Sequence, residues 1–331
     1  MQFDQLKRRE FIALLGSSAV AWPLAARAQQ PAMPVIGYLG AGSPGPSAPQ
    51  LSALRQGLNE AGYVEGRNVA IDYRFAEGKY DRLAVMAEEL VRRQVAAIVA
   101  ASSTPALAAK GATANIPIVF SSIDDPVTLG LVASIARPGG NATGVHFFLS
   151  ELGAKHLGLL RELVPTAARI GLLFNPDNPN AQATTREVTA AASAMAVAID
   201  AVQASDRSGI DAAFATLVRN KADALIVAAD PFFYSRRLQL ATLATRYALP
   251  AIYLVREYAE VGGLITYGTN VTEVYRQLGV YTGRILKGEK PADLPVVQAS
   301  KFELVINAQT ARTLGIKISD NLLSLADEVI E

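Results

Sequence analysis

The chain has 331 residues, half of them hydrophobic, with 31 Lys and Arg against 30 Asp and Glu and no cysteine. Its near-neutral charges are scattered, which gives no electrostatic footprint for nucleic acid or an anionic membrane; neither is expected as a partner. The missing cysteine removes disulfides, thiolate metal sites, cysteine nucleophiles and a lipid-modified N-terminal cysteine. His146 and His156, ten residues apart, match no metal-ligand spacing and read as ordinary surface or cleft residues, so no metal and no cofactor are expected. The length suits two domains or lobes rather than one.

Residues 1–28 read as an export signal. Lys7, Arg8 and Arg9 form a basic patch, and Arg8-Arg9-Glu10-Phe11-Ile12 follows the twin-arginine pattern. The apolar run at 11–24 falls short of the roughly 20 residues that span a bilayer, which favours export over an anchor. Ala26-Arg27-Ala28 supplies a small-x-small cleavage site, so cleavage is expected after Ala28. Removing Lys7, Arg8, Arg9 and Arg27 with Asp4 and Glu10 leaves 27 basic against 28 acidic residues, a net charge of −1. No later apolar run is long enough to cross a membrane. A soluble chain with no lipid anchor is expected in a periplasm.

From Pro34 onward short β-branched runs alternate with longer amphipathic stretches, the pattern of parallel sheets covered by helices. Strands are expected at 35–39, 69–75, 96–101, 116–120 and 143–148. Helices are expected at 49–62, where Leu51, Leu54 and Leu58 keep helical spacing, and at 80–93. Ser102, Ser103 and Thr104 before Pro105 read as the start of another helix. The second half repeats the plan, with strands at 170–174, 198–202, 224–228, 251–255 and 264–267 and helices at 181–195, 209–220 and 234–247. Ile36 with Ile170, Ile98 with Ile226 and Pro117 with Pro250 align at offsets of about 130 residues, which indicates two similar α/β lobes.

A long helix follows at 271–288, stopped by Lys287-Gly288-Glu289-Lys290-Pro291, and extended pieces follow at 295–298 and 302–306. A surplus helix and strands after two lobes imply that the chain crosses back to the first lobe and returns. The expected division is 34–148 with 271–298 and 149–270 with 299–331. The fold class is α/β: two Rossmann-like lobes with parallel sheets flanked by helices, joined by a multi-crossover hinge.

In open parallel sheets ligands bind beyond the carboxyl ends of the strands, so the loop after each strand matters most. After the first strand come Gly42 and Ser43, in a turn that lets a ligand approach the backbone. After the third come Ser102, Ser103 and Thr104; after the fourth, Ser121, Ser122, Asp124 and Asp125 before Pro126, a second expected helix start. Hydroxyls at a helix N-terminus make a carboxylate receptor, since neutral donors and the helix dipole favour an anion. Capping alone is the alternative for each loop. In the second half Asn175 begins a loop that runs to Pro179. Asp230 ends an apolar strand, where it suits a ligand ammonium or a helix cap. Phe232, Phe233, Tyr234, Tyr253 and Tyr267 lie near strand ends, as walls for a side chain or as core.

Enzyme signatures are missing. The turn Gly37-Tyr38-Leu39-Gly40-Ala41-Gly42 lacks the dinucleotide order, and the second strand ends near Tyr73-Arg74 rather than in an acid for the ribose. There is no phosphate-binding Gly-Lys-Ser/Thr loop and no Gly-x-Ser-x-Gly elbow. Asp124-Asp125 reads as a turn former with no histidine nearby to complete a nucleophile system.

The chain resembles the periplasmic substrate-binding proteins of ABC transporters, in the subfamily related to tryptophan and tyrosine binding proteins. The resemblance spans essentially the whole chain. It rests on the twin-arginine segment, on Val35-Ile36-Gly37-Tyr38-Leu39 and on the run from Gly57-Leu58-Asn59-Glu60-Ala61-Gly62 to Val69. Ile135-Ala136-Arg137-Pro138-Gly139-Gly140-Asn141, Lys301-Phe302-Glu303-Leu304-Val305-Ile306-Asn307 and the tail from Ala326 to Glu331 complete it. It implies a type I periplasmic binding protein with three hinge crossovers, closing around a small solute and docking as a monomer on an inner-membrane ABC permease. By the same resemblance the loops at Ser102 to Thr104 and Ser121 to Asp124 receive a ligand carboxylate and Asp230 receives its ammonium. Gly and Pro dominate 40–49, which leaves few side chains there to read the ligand. The expected function is non-catalytic capture of an amino acid, aromatic ones included, or a related carboxylate. A periplasmic sensor and a periplasmic enzyme on the same scaffold are the alternatives.

Overall fold

The computed structural model describes residues 33–147, 152–299 and 301–331; the expected export signal lies outside them. The first lobe is built from β1 (Val35–Gly40), α1 (Ala48–Glu60), β2 (Ala70–Phe75), α2 (Arg82–Arg92), β3 (Ala97–Ala101), α3 (Ser103–Ala112), β4 (Ile118–Ser122) and β5 (Ala142–Phe147). The second contains α4 (Leu152–Leu163), β6 (Arg169–Phe174), α5 (Ala181–Ala194), β7 (Ala198–Gln203), α6 (Arg207–Arg219) and β8 (Ala224–Val227). It continues through α7 (Pro231–Ser235), α8 (Arg237–Arg246), β9 (Ala251–Tyr253), α9 (Glu257–Glu260) and β10 (Ile265–Thr269). Then come α10 (Val271–Leu286), β11 (Val297–Ala299), β12 (Phe302–Asn307), α11 (Ala308–Thr313), α12 (Asp320–Leu325) and β13 (Glu328–Ile330).

The first sheet runs β11-β5-β4-β3-β1-β2 and is parallel throughout. The second runs β13-β12-β10-β9-β8-β6-β7 and is parallel except where β12 meets β10. Both share one order reversal, between β1 and β3 and between β6 and β8. Those switch points open the crevice that an α/β sheet offers a ligand.

Burial on both faces explains the unbroken apolar strands. In β3, Ala97 and Val99 enter the core on one side of the sheet while Ile98 and Ala100 enter the core on the other. In β8, Ala224 and Ile226 alternate in the same way with Leu225 and Val227. Each fully buried Val, Leu or Ile contributes about 1.5–3 kcal/mol of transfer free energy.

The chain passes from the first sheet to the second between Phe147 and Leu152, back between Thr269 and Val271, and across again between Ala299 and Phe302. On its return α10 lies on α1 with almost no side chain between the backbones. A Cβ on Gly57 would stand 1.9 Å from Arg276 O, and one on Gly279 would stand 2.2 Å from Leu54 O. Gly288, at φ +100°, ends α10 in the left-handed conformation expected of the Lys-Gly stop.

Three local expectations change. Pro126 opens no helix: Asp125 instead accepts hydrogen bonds from Val127 N and Thr128 Oγ1, both at 2.9 Å, and holds a turn. The single helix expected at 234–247 is two, because Asp230 starts α7 early and Arg236, at φ −108° and ψ 15°, separates it from α8. The helix α4, unassigned from sequence, buries Leu157, Leu159, Leu160 and Leu163. No helix among the described residues is long and apolar enough to cross a membrane.

Candidate functional site

A cavity of about 760 Å³ lies between the lobes, in the size range of small-molecule sites. Among the described residues, four carboxylates line it, Asp124, Asp125, Glu187 and Asp230, and no Lys or Arg does. Of the residues expected from sequence, Gly42, Ser43, Ser102, Ser103, Thr104, Ser121, Asp124 and Asp230 line it. Ser122, Asn175, Tyr253 and Tyr267 do not.

Asp230 follows β8 at the second switch point, is 7% exposed, and caps α7 by accepting from Phe232 N at 2.8 Å and Phe233 N at 3.2 Å. Asn178 Nδ2 donates to its Oδ2 at 2.9 Å, and Asn175 Nδ2 lies 3.3 Å from both oxygens. The first lobe adds Tyr80, whose hydroxyl donates to Asp230 Oδ2 at 2.7 Å. All these donors are neutral. Burial raises the Asp230 pKa, and the hydrogen bonds from Tyr80, Asn178 and Asn175 oppose that rise. Asn175 therefore supports the acid from behind, where it is itself buried, instead of facing the cavity.

Across the cavity, β3 ends and α3 begins at Ser102, whose φ of +128° and ψ of 173° fall in a region that costs a side-chain-bearing residue about 1–3 kcal/mol. The first turn of α3 leaves the Ser103 and Thr104 N–H groups without intrahelical partners. The Ser103 and Ser122 hydroxyls are committed elsewhere. Ile123 N donates to Ser103 Oγ at 3.2 Å, and Ser122 Oγ donates to Asp124 O at 2.6 Å. The 3.1 Å contact between the two hydroxyls is thus a donation from Ser103 to Ser122. This chain of bonds ties the loops after β3 and β4 together, and Ser122 is fully buried behind the cavity. Ser121 Oγ makes no hydrogen bond to a described residue and lines the cavity.

The two expected tyrosines are core instead. Tyr253, the last residue of β9, is fully buried and stacks on Tyr258 at 4.4 Å; Tyr267, inside β10, stacks on Phe302 at 5.7 Å. For Tyr267 strand length explains this, because β10 runs two residues past it. Tyr234, Tyr258 and Tyr275 line the cavity in their place, with Tyr38 and Gln50. Tyr234 is among the aromatics expected near strand ends; Tyr258, Tyr275 and Gln50 come from helices, so a search confined to loops after strands passes over them.

A second contact between the lobes joins Asn180 Nδ2 to Asp124 Oδ2 at 2.5 Å. Glu187, on the helix α5 that Asn180 precedes, has its pKa raised by burial and then by Asp124, with Arg186 opposing. His146 and His156 are both buried and line the cavity. His156 Nε2 donates to Tyr267 O at 2.7 Å, and burial pushes its pKa down to about 4, so the ring is neutral near pH 7. His146 Nδ1 lies 3.2 Å from Ser122 O, which fixes that nitrogen as a donor.

A family model described as ABC transporter substrate binding protein matches residues 47–330. A curated Tyrosine-binding protein from Clostridioides difficile (strain R20291) is 28% identical over 273 residues, 81% of this chain and 78% of that protein. A solved domain from Streptococcus pneumonia in complex with L-Trp is 27% identical, with a TM-score of 0.80 over 90% of this chain and 99% of that one. A ligand-free, open substrate-binding protein with adhesive properties from Clostridium difficile is 25% identical over the same shares, with a TM-score of 0.63. Identity and coverage are nearly equal in the two comparisons, and the TM-score is higher with the L-Trp complex.

Proposed function

We propose, because this chain belongs to the ABC transporter substrate-binding protein family, that it captures a free α-amino acid between its lobes and delivers it to an inner-membrane permease. The observation that carries this reading is the pairing of two opposite receptors across one cavity. On one side stands the buried Asp230 carboxylate, ringed by neutral donors, with no Lys or Arg among the described residues that line the cavity. On the other stands the N-terminus of α3, with Thr104 and Ser121 at the cavity wall. An ammonium pairs with the first and a carboxylate with the second. A plain carboxylic acid could use only the α3 side: it carries nothing to pair with the Asp230 carboxylate, and the described lining residues include four acids and no Lys or Arg. The relatives named for tyrosine and bound to L-Trp support an aromatic amino acid.

The lobes at 34–148 with 271–298 and at 149–270 with 299–331 close about the three crossovers, burying the solute and completing the surface the permease reads. The expected setting is the periplasm, with a monomer released after Ala28. The deciding experiment is isothermal titration of the chain from Gln29 with L-amino acids and with the matching deamino acids. Asp230→Ala and Asp230→Asn should lose amino acid binding while leaving any binding of the deamino acid in place. Equal loss of both ligands, or no loss, overturns the assignment of Asp230.

A further inference from the structure

Several buried side-chain polar atoms among the described residues make no hydrogen bond, and two of them belong to residues that line the cavity: Gln50 Oε1 and Tyr234 Oη. Gln50 is 5% exposed, on the first turn of α1, and its buried neighbours on that helix, Leu51, Ala53, Leu54 and Leu58, are apolar. An amide buried at such a position is costly unless something bonds it. Tyr234 comes from α7 on the opposite lobe, so a closed arrangement brings the two groups to one corner.

Aromatic rings build the rest of that corner. Tyr258 meets Tyr234 edge to face, with centroids 6.4 Å apart, and Tyr258 is in turn stacked on Tyr253. Tyr275 and Tyr38 also line the cavity, and Arg237 lies over the Tyr234 ring at 4.7 Å from its centroid. Burial, then Glu257, raises the Tyr234 pKa, and the Gln50 amide lies near enough to oppose that rise, although no hydrogen bond of full geometry joins them.

We propose that this corner is the side-chain subsite, and that Gln50 and Tyr234 select an α-amino acid whose ring carries a hydroxyl. The inference rests on the amino acid reading above. The Gln50 carbonyl needs a donor and the Tyr234 hydroxyl needs an acceptor; a phenolic hydroxyl is both at one atom. If the Gln50 amide is turned by half a rotation, its NH₂ donates, the phenol donates to Tyr234, and both groups are still satisfied. A bare phenyl ring offers neither a donor nor an acceptor. An indole N–H satisfies one. A carboxamide side chain also donates and accepts, but brings no ring to lie among the tyrosines. Sites built to bond a ligand hydroxyl reject the analogue lacking it far more strongly than apolar pockets reject a missing methylene.

The test is titration calorimetry of the chain from Gln29 with L-tyrosine, L-phenylalanine, L-tryptophan and L-glutamine, on the wild type, Gln50→Leu and Tyr234→Phe. L-Tyrosine should bind roughly a hundredfold more tightly than L-phenylalanine. Each variant should shrink that ratio to below about tenfold, chiefly by weakening L-tyrosine. Tyr234→Phe removes a single oxygen, and circular dichroism checks the fold of both variants. Wild-type affinities for L-tyrosine and L-phenylalanine within about threefold, or a ratio unchanged in both variants, overturn the subsite while leaving amino acid capture intact. L-Glutamine binding as tightly as L-tyrosine overturns the phenol assignment. Failure of every amino acid to bind overturns both readings.

Discussion

Tyr80 Oη donates a 2.7 Å hydrogen bond to Asp230 Oδ2, joining residues 150 apart in sequence across the interlobe cleft. One hydroxyl of the first lobe thereby completes the donor shell of the buried acid of the second, so on the proposed reading closure and the electrostatics of Asp230 are coupled. A bond to a charged group is worth about 1.5–3 kcal/mol. Tyr80→Phe should therefore weaken amino acid affinity by about tenfold or more while leaving the urea midpoint of unliganded protein nearly unchanged, because it ties lobes together and does not hold a core. Unaltered affinity by calorimetry would show that closure does not depend on this bond.

His156 gives the fold a pH dependence with a definite sign. Its ring is 6% exposed and its pKa is pushed down to about 4 by burial, against an ordinary value of 6.5. The unfolded chain binds this proton more readily than the folded one, so stability is full above pH 6.5 and falls as the pH drops toward 4. The loss over that window is about 3 kcal/mol. His156→Gln, which keeps a donor for Tyr267 O, should lose about that much less between pH 7 and 4 in urea titrations. Parallel curves for the two proteins would contradict a neutral, buried imidazole.

The contrast between Asp230 and Gln50 shows how far the sequence alone reaches. An apolar strand that ends in Asp-Pro announces both its burial and the acid at its mouth, so Asp230 is legible from one short segment, as are the order of the strands and the repeat of the lobes. Asn175 sits in the right loop and Ser122 at the right strand end, yet which side meets the cavity is set by contacts with other segments, Asp230 for one and Ser103 for the other. Gln50 carries no local signal. Its burial depends on the cavity corner that Tyr234 and Tyr275 build from distant parts of the chain.

Glycines separate packing from propensity. Gly57 lies where a Cβ would fall 1.9 Å from Arg276 O, so Gly57→Ala must push α10 off α1 and should cost about 1–3 kcal/mol or more. Gly158, inside α4, has nothing within 4 Å of its would-be Cβ, and Gly158→Ala should stabilise by up to about 1 kcal/mol through helix propensity. Urea midpoints that move in the same direction for both variants would show that α1 and α10 do not touch as closely as the backbone implies.

Ser102 tests whether strain at the end of β3 serves the ligand. A serine held at φ +128° costs the fold about 1–3 kcal/mol, and glycine adopts that conformation freely. The bond from Ala106 N to Ser102 O, at 3.1 Å, shows that this residue sets the first turn of α3, so its conformation aims the free N–H groups of Ser103 and Thr104. Ser102→Gly should relieve the strain and raise stability by roughly 1 kcal/mol, less than the full relief because glycine gains freedom in the unfolded chain. It should also loosen the receptor and weaken amino acid affinity severalfold. Stability and affinity would then move in opposite directions, in thermal denaturation and calorimetry on the same preparation. A gain in both would mean that the strained turn contributes nothing to binding.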